Sequence, residues 1–348
     1  MNVSGRRILI LGANGFIGSS LTLGLLRKNY DVVGVDLSDF NLNESKKFAN
    51  FLFRKIDVLQ NFDEVESLIK ECDIVVALVA IAVPSMYVKN PIAVYNLDYE
   101  HNVQVIKTCV QYGKRIVFPS TSEVYGMCSD KAFDERLSQL VLGSIEKERW
   151  IYSCIKQMLD RLIWAYGKHE GLQFTIFRPF NFIGPKLDNI KAQQEGASRV
   201  ITQFAHNILN SKPIKLVDGG FQKRCFTFID DGIDCLLKII ENKNGCADGQ
   251  IFNIGNPTEE YSIKELADIL ISAFKEYPEY THLAENAEIV SMAGSEYYGK
   301  AYEDVGRRVP SIANAKSILG WSPKTDIRTA VKYILDYHLL GKDYEACI

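Results

Sequence analysis

Apolar residues come in short unbroken runs near the start of the chain and then at helical spacing, and the two rhythms alternate. Ile8–Leu11 is continuously apolar, the pattern of a parallel strand covered on both faces. Behind it Ile17, Leu21 and Leu25 recur at helical spacing. The same reading predicts strands over Tyr30–Asp36, Phe51–Asp57, Ile74–Val79 and Arg115–Pro119, with helix-like connections between them. A helix from about Ile151 to Glu170 and a strand at Phe174–Phe177 follow. Strands alternating with helices imply right-handed crossovers and an α/β, Rossmann-type, doubly wound parallel sheet.

After Pro179 the rhythm changes. Asn181–Gly196 is polar and turn-rich, residues 198–210 read as helix, and Lys215–Val217 as a short strand. Asp230–Ile240 is helical, Ile251–Ile254 strand-like, and Ser262–Ala273 opens with a Ser cap and Glu265 three residues later. Residues 1–180 are therefore expected to form mainly a nucleotide-binding domain. Residues 181–348 are expected to form mainly a smaller substrate-binding lobe, with segments returning to the core.

The composition, 47% hydrophobic and 24% charged over 348 residues, allows a sizeable core and excludes a mainly disordered chain. A formal charge of -3 gives no basic surface for nucleic acid. The sequence shows no signal-peptide pattern and no run of the roughly 18 apolar residues needed to span a membrane. A cytoplasmic protein without membrane insertion is expected. Eight cysteines without a C-x-x-C pair predict free thiols, and five scattered histidines predict no metal site.

The chemistry starts at Gly12-Ala13-Asn14-Gly15-Phe16-Ile17-Gly18, between the first strand and its helix. Such glycines let backbone approach a pyrophosphate, and the helix N-terminus offers it unpaired N–H groups. Asp36 ends the next strand, where a carboxylate accepts from ribose hydroxyls and repels a 2′-phosphate, so NAD is expected over NADP. Asp57, with Val58 beside it, is placed at the adenine, with a plain strand cap as the alternative; Ala80 and Ala82 leave room for the cofactor after the fourth strand. Tyr152 and Lys156 stand one helical turn apart on one face. The ammonium is expected to lower the phenol pKa, so that Tyr152 takes the proton of a secondary alcohol while Lys156 holds a ribose hydroxyl. Thr121, Ser122 and Glu123 follow a strand, where an open sheet presents side chains to ligand. Asn181 is a candidate orienting amide, and Arg178 reads equally as a site residue or a structural ion-pair member.

These residues resemble the extended short-chain dehydrogenases that act on nucleotide sugars, the NAD-dependent epimerase/dehydratase family. Longer stretches, Leu78–Ala82, Phe118–Asp130, Asp218–Thr227 and Tyr297–Lys300 with Asp304 and Arg307-Arg308, resemble the UDP-glucuronate dehydrogenase/decarboxylase half of the bifunctional polymyxin-resistance enzymes. The similarity runs from Arg7 to the last helix. It implies oxidation at Thr121, Tyr152 and Lys156, decarboxylation at Glu123 and Arg308 with Ser122 beside them, and a UDP-sugar held by Arg199, Lys215 and Tyr302. It also puts Asn181 near the pyrophosphate and Tyr87 near the sugar. UDP-glucuronate is the implied substrate, a homodimer the implied assembly. No counterpart of the formyltransferase half is found, so any pathway partner is expected to be a separate enzyme. UDP-xylose synthase and UDP-apiose/xylose synthase stay open as alternatives. The second shares Gly143–Lys147 and Arg149-Trp150 but carries a cysteine where this chain has Ser122. A 4-epimerase shares the fold with less need of Glu123 and Arg308, and a retired nucleotide-binding scaffold is the alternative that is not an enzyme.

Overall fold

The computed structural model describes residues 5–191, 198–299, 301 and 303–342. The chain runs β1 (Arg7–Leu11), α1 (Phe16–Arg27), β2 (Asp31–Asp36), β3 (Phe51–Lys55), α2 (Phe62–Glu71) and β4 (Ile74–Ala77). Short helices α3 (Pro84–Lys89) and α4 (Pro91–Val94) lead into a π-helical stretch, Tyr95–His101, and α5 (Asn102–Gln111). Next come β5 (Arg115–Pro119), α6 (Trp150–Glu170) and β6 (Phe174–Pro179). Seven strands form one parallel sheet in the order β11-β6-β5-β4-β1-β2-β3, where β11 is Gln250–Ile254. This is a Rossmann-type α/β fold. The inner strands are buried on both faces, which is why they read as unbroken apolar runs. At the edge, β3 exposes Arg54 and Lys55, charges that discourage pairing with another chain.

The chain continues β7 (Phe182–Ile183), α7 (Val200–Leu209), β8 (Ile214–Val217), β9 (Lys223–Cys225), β10 (Thr227–Phe228) and α8 (Ile229–Glu241) before β11. After it come β12 (Glu260–Ser262), α9 (Ile263–Phe274), α10 (Thr281–Glu285), β13 (Ile289–Met292), α11 (Gly294–Tyr297), β14 (Arg307–Arg308), α12 (Ala313–Leu319) and α13 (Ile327–Leu340). Here β9 is flanked by antiparallel β12 and parallel β14, while β7 pairs with β10 and β8 with β13. Ser262 and Glu265 form the reciprocal capping box that starts α9. One apolar core under α1 and α8 runs on without a break into α7, β8, α9 and α13; a second fills the other face beneath α2, α5 and α6.

The predicted strand over residues 74–79 stops at Ala77, and that over 51–57 at Lys55. The residues beyond both ends leave the sheet where it opens to ligand. Conversely, β6 runs on to Pro179 because β11 pairs along its whole length, a contact remote in sequence. Among the described residues, no helix is long and apolar enough to cross a membrane.

Candidate functional site

Strand order reverses between β1 and β4, and the site lies at the C-terminal ends of the strands there. Gly12 has φ +87°, and a Cβ on it would meet the Leu78 and Val79 backbone at 3.1 Å. A Cβ on Gly18 would lie 2.1 Å from the Gly12 carbonyl oxygen. The turn is thus closed to side chains at two of its glycines. Gly15 caps α1 without a side-chain hydrogen bond, and the first turn of the helix holds no acid, so its N–H groups face the crevice. These features fit a dinucleotide pyrophosphate. Asp36 closes the turn, its carboxylate accepting from the Asn14 and Leu37 amides at 2.9 and 2.7 Å. Asn14, Gly15, Phe16 and Asp36 line a cleft of about 870 Å³ with the end of α13; Ile17 lies in the first turn of α1. Asp57 accepts from the Leu59 amide at 3.0 Å, Val58 is buried beside it, and Ala80 sits half-buried in the extended stretch after β4.

Arg199 borders this cleft and also a second cavity, of about 230 Å³. That cavity brings together Glu123, Asn181, Lys215 and Arg308, which come from β5's end, the β6–β7 link, β8 and β14. Asn181 adopts φ +36° and donates to the Cys225 carbonyl at 3.0 Å. Arg199 stands at the N-cap of α7, paired with Asp188 at 2.6 Å. Tyr302 lies outside the described residues.

Tyr152 and Lys156 are buried on α6. Thr121 caps the short turn Ser122–Tyr125, its hydroxyl accepting from the Glu123 amide at 3.2 Å, and it lies near enough to Tyr152 to ease ionisation of the phenol. Ser122 is buried between Thr121 and Glu123. The Tyr87 ring stacks on that of Tyr152, centroids 4.7 Å apart and planes 6° from parallel. The expected lowering of the phenol pKa is not what the chain alone produces. Burial pushes Tyr152 well up, and the negative charges of Asp98 and Glu123 push it further; Thr121 and Arg199 oppose them. Lys156 does not reverse this, because its ammonium donates to the Pro119 carbonyl at 2.8 Å and lies 5.9 Å from the Tyr152 ring centre.

Sequence reasoning left out the partners of Glu123. Arg149, fully buried just before α6, binds one carboxylate oxygen at 2.5 Å, and Arg308 binds the other at 2.9 Å. Arg224 lies near and pairs with Asp304 at 2.7 Å. Burial alone would raise the Glu123 pKa, but Arg149, then Arg308 and Arg224, outweigh it and hold the carboxyl at about 2. Glu123 is thus gripped by two guanidiniums, with the Arg224–Asp304 pair next to them. The Arg149-Trp150 pair stood out in the sequence; its role did not, because nothing local says which way Arg149 points. Arg178 belongs to the structure instead: it binds Asp160 and the Tyr125 hydroxyl, each at 2.9 Å, and Tyr125 reaches Asn253. Among the described residues no His, Cys, Asp or Glu cluster could hold a metal, and the seven described cysteines are unbridged.

A model of the NAD dependent epimerase/dehydratase family matches residues 8–255. Among solved structures, the chain is similar to the PbgP3 protein from Burkholderia pseudomallei, at 46% identity over 96% of each chain with a TM-score of 0.87. It shares its fold with UDP-glucuronic acid 4-epimerase from Bacillus cereus, solved with UDP-glucuronic acid and NAD, at 24% identity over 97% of this chain and 100% of that one (TM-score 0.80). A dTDP-glucose 4,6-dehydratase from Bacillus anthracis, solved with NAD, has the same fold at 21% identity over 96% of each chain (TM-score 0.77).

Proposed function

We propose, from the premise that the chain belongs to the NAD dependent epimerase/dehydratase family, that it oxidises UDP-glucuronate at C4 and releases the C6 carboxyl as CO₂, leaving UDP-4-keto-pentose. NAD is the cofactor, and its nicotinamide, when bound, accepts the C4 hydrogen with its electron pair. The glycine turn and the N-terminus of α1 hold the pyrophosphate, and Asp36 faces the adenosine ribose. Tyr152 takes the proton of the C4 hydroxyl, and Thr121, beside Tyr152, steadies the charge on that oxygen. Lys156 supplies the buried cation. Arg199 and Lys215 answer the diphosphate, with Asn181 near it, and Tyr87 lies over the sugar.

The observation that carries this reading is Glu123 and Arg308 paired on the wall of the cavity, with Arg149 buried behind the same carboxylate. Oxidation alone does not need two buried guanidiniums; a substrate with a carboxylate does. Once C4 is a carbonyl, the substrate is a β-keto acid. The C5–C6 bond breaks, its electron pair moves to the C4 oxygen as an enolate, and C5 then takes a proton. Arg308, on the cavity wall, orients the carboxylate until it leaves, and Arg149 holds Glu123 from behind. Glu123, held ionised, accepts protons rather than donating them, so the C5 proton comes from water or from Tyr152.

A homodimer belongs to the same proposal: Tyr95, Met158 and Trp164 leave apolar surface exposed on the π-helical stretch and α6, and sedimentation of the purified chain tests it. For the reaction, the deciding experiment incubates the protein with UDP-glucuronate and NAD and follows CO₂, NADH and the sugar nucleotide together. Equal amounts of NADH, CO₂ and UDP-4-keto-pentose are expected. UDP-xylose without net NADH, or an apiose product, would replace the proposal with one of its relatives.

A further inference from the structure

Asp98 has no part in the reaction as described, yet its side chain is fully buried. It lies in the π-helical stretch Tyr95–His101, which packs along α6. π-helical turns are uncommon and concentrate at functional sites. One Asp98 oxygen accepts the Ile81 amide at 2.8 Å. Ile81 sits next to Ala80 in the stretch after β4, whose first residues Leu78 and Val79 lie against the glycine turn. The other oxygen is buried and accepts no hydrogen bond from any described residue.

Lys156 supplies the other half. It is fully buried, and an ammonium has three donors, of which the Pro119 carbonyl takes one. Two carboxylates act on its charge, Asp98 first and Asp160 second. Asp160 is already committed to Arg178 and Ser120, both at 2.9 Å. Among the described residues no cation stands within 4.0 Å of Asp98, so its charge meets that of Lys156 across the dry packing of the π-helical stretch on α6, where a buried charge is costly unless another offsets it. Among the described residues, the groups that feel its charge are Lys156 and Tyr152 from α6 and Tyr87 from α3, and from the stretch after β4 the Ile81 amide meets it. His101 is the other buried titratable group on its own turn.

We propose that Asp98 is a positioning residue for the reaction: it is the buried counter-charge of Lys156 and, through the Ile81 amide, it pins the stretch after β4 that borders the cofactor. This rests on the reading of Tyr152 and Lys156 as the proton-handling pair. One carboxylate then ties cofactor seating to the charges on that pair. Its negative charge keeps Lys156 protonated to higher pH and resists ionisation of Tyr152. Burial, offset in part by Lys156 and the Ile81 amide, brings Asp98 itself up to about 6, so it is mostly ionised at neutral pH.

Two variants separate the two duties. Asp98→Asn keeps the shape and an acceptor for the Ile81 amide but removes the charge. In the NAD-loaded enzyme, both limbs of the kcat/KM profile against pH are expected to move down by about one unit, with NAD affinity near wild type. Asp98→Ala also removes the acceptor, and calorimetry should show NAD binding weakened about tenfold. A lower plateau with both limbs unmoved in Asp98→Asn would overturn the counter-charge role. Wild-type NAD affinity in a folded Asp98→Ala would overturn the pinning role. If the wild-type chain does not turn over UDP-glucuronate, the substrate reading falls, and the NAD arm, which needs no sugar, still decides Asp98.

Discussion

At the cofactor end the working groups are backbone atoms within one turn, Gly12 to Gly18. At the carboxylate end they are five side chains, Glu123, Arg149, Arg224, Asp304 and Arg308, and the Glu123–Arg308 pair alone spans 185 positions. The first end excludes side chains so that a ligand's charge can reach N–H groups. The second buries ions of both signs against one another. Steric intolerance governs one and charge balance the other, so the two should fail in different ways.

The largest failure is expected at Gly18. In Gly18→Ala the new methyl meets a backbone oxygen at 2.1 Å, which cannot move without reshaping the turn. NAD affinity should fall about a thousandfold, because several amide contacts are lost together. In Gly15→Ala the nearest atom is that same oxygen at 3.3 Å, and the loss should be far smaller. Titration of both variants with NAD measures the contrast, and equal losses would refute the steric account.

Next comes Arg308→Met, which removes charge and keeps bulk. Release of CO₂ should fall by about a hundredfold or more, while NAD binds within about twofold of wild type. Turnover close to wild type would remove Arg308 from the chemistry. The Glu123 carboxyl, depressed to about 2, contributes stability that is complete above its unfolded value near 4 and is lost only as pH falls through about 2. Any acid limb of activity seen above pH 5 should therefore survive in Glu123→Gln.

His101 sharpens the lesson about charge balance, because it is buried without compensation. Neither ring nitrogen has a hydrogen-bond partner among the described residues, and burial lowers its pKa to about 4. Below its unfolded value near 6.5 the unfolded chain binds the proton first. Stability should then fall by about 2–3 kcal/mol between pH 6.5 and 4 and level off below. Denaturant melts of His101→Leu should show that much less loss over the same window.

The smallest effect is expected at Arg307, next to Arg308 in sequence. Its bonds to Glu260, at 2.6 and 2.9 Å, sit at the surface, and it also meets the Lys131 carbonyl. Arg307→Ala should cost under about 1 kcal/mol and leave turnover unchanged. A loss like that of Arg308→Met would show that burial is not what separates the two arginines.

Much of the frame could be read from residue patterns. The runs at Ile8–Leu11 and Arg115–Pro119 became inner strands, and Ser262 with Glu265 became a capping box. Tyr152 and Lys156 share a helix, so their spacing alone brings them to one face. What could not be read was electrostatic. A helical turn between Tyr152 and Lys156 suggested an ammonium acting on a phenol, but the ammonium turned to Pro119, and burial with Asp98 sets the phenol instead.

The sequence by itself determined the strand–helix alternation, the glycine turn and the helical pair, because each depends on neighbours within a few residues and on fixed backbone geometry. Only the tertiary structure decided that Arg149 meets Glu123, that Arg178 serves Asp160 instead of ligand, and that the charge of Asp98 acts on Lys156. Those contacts join remote segments in a dry interior. There a charge's effect depends on its distance to the next charge and on the water it has lost, and neither quantity is written in the order of residues.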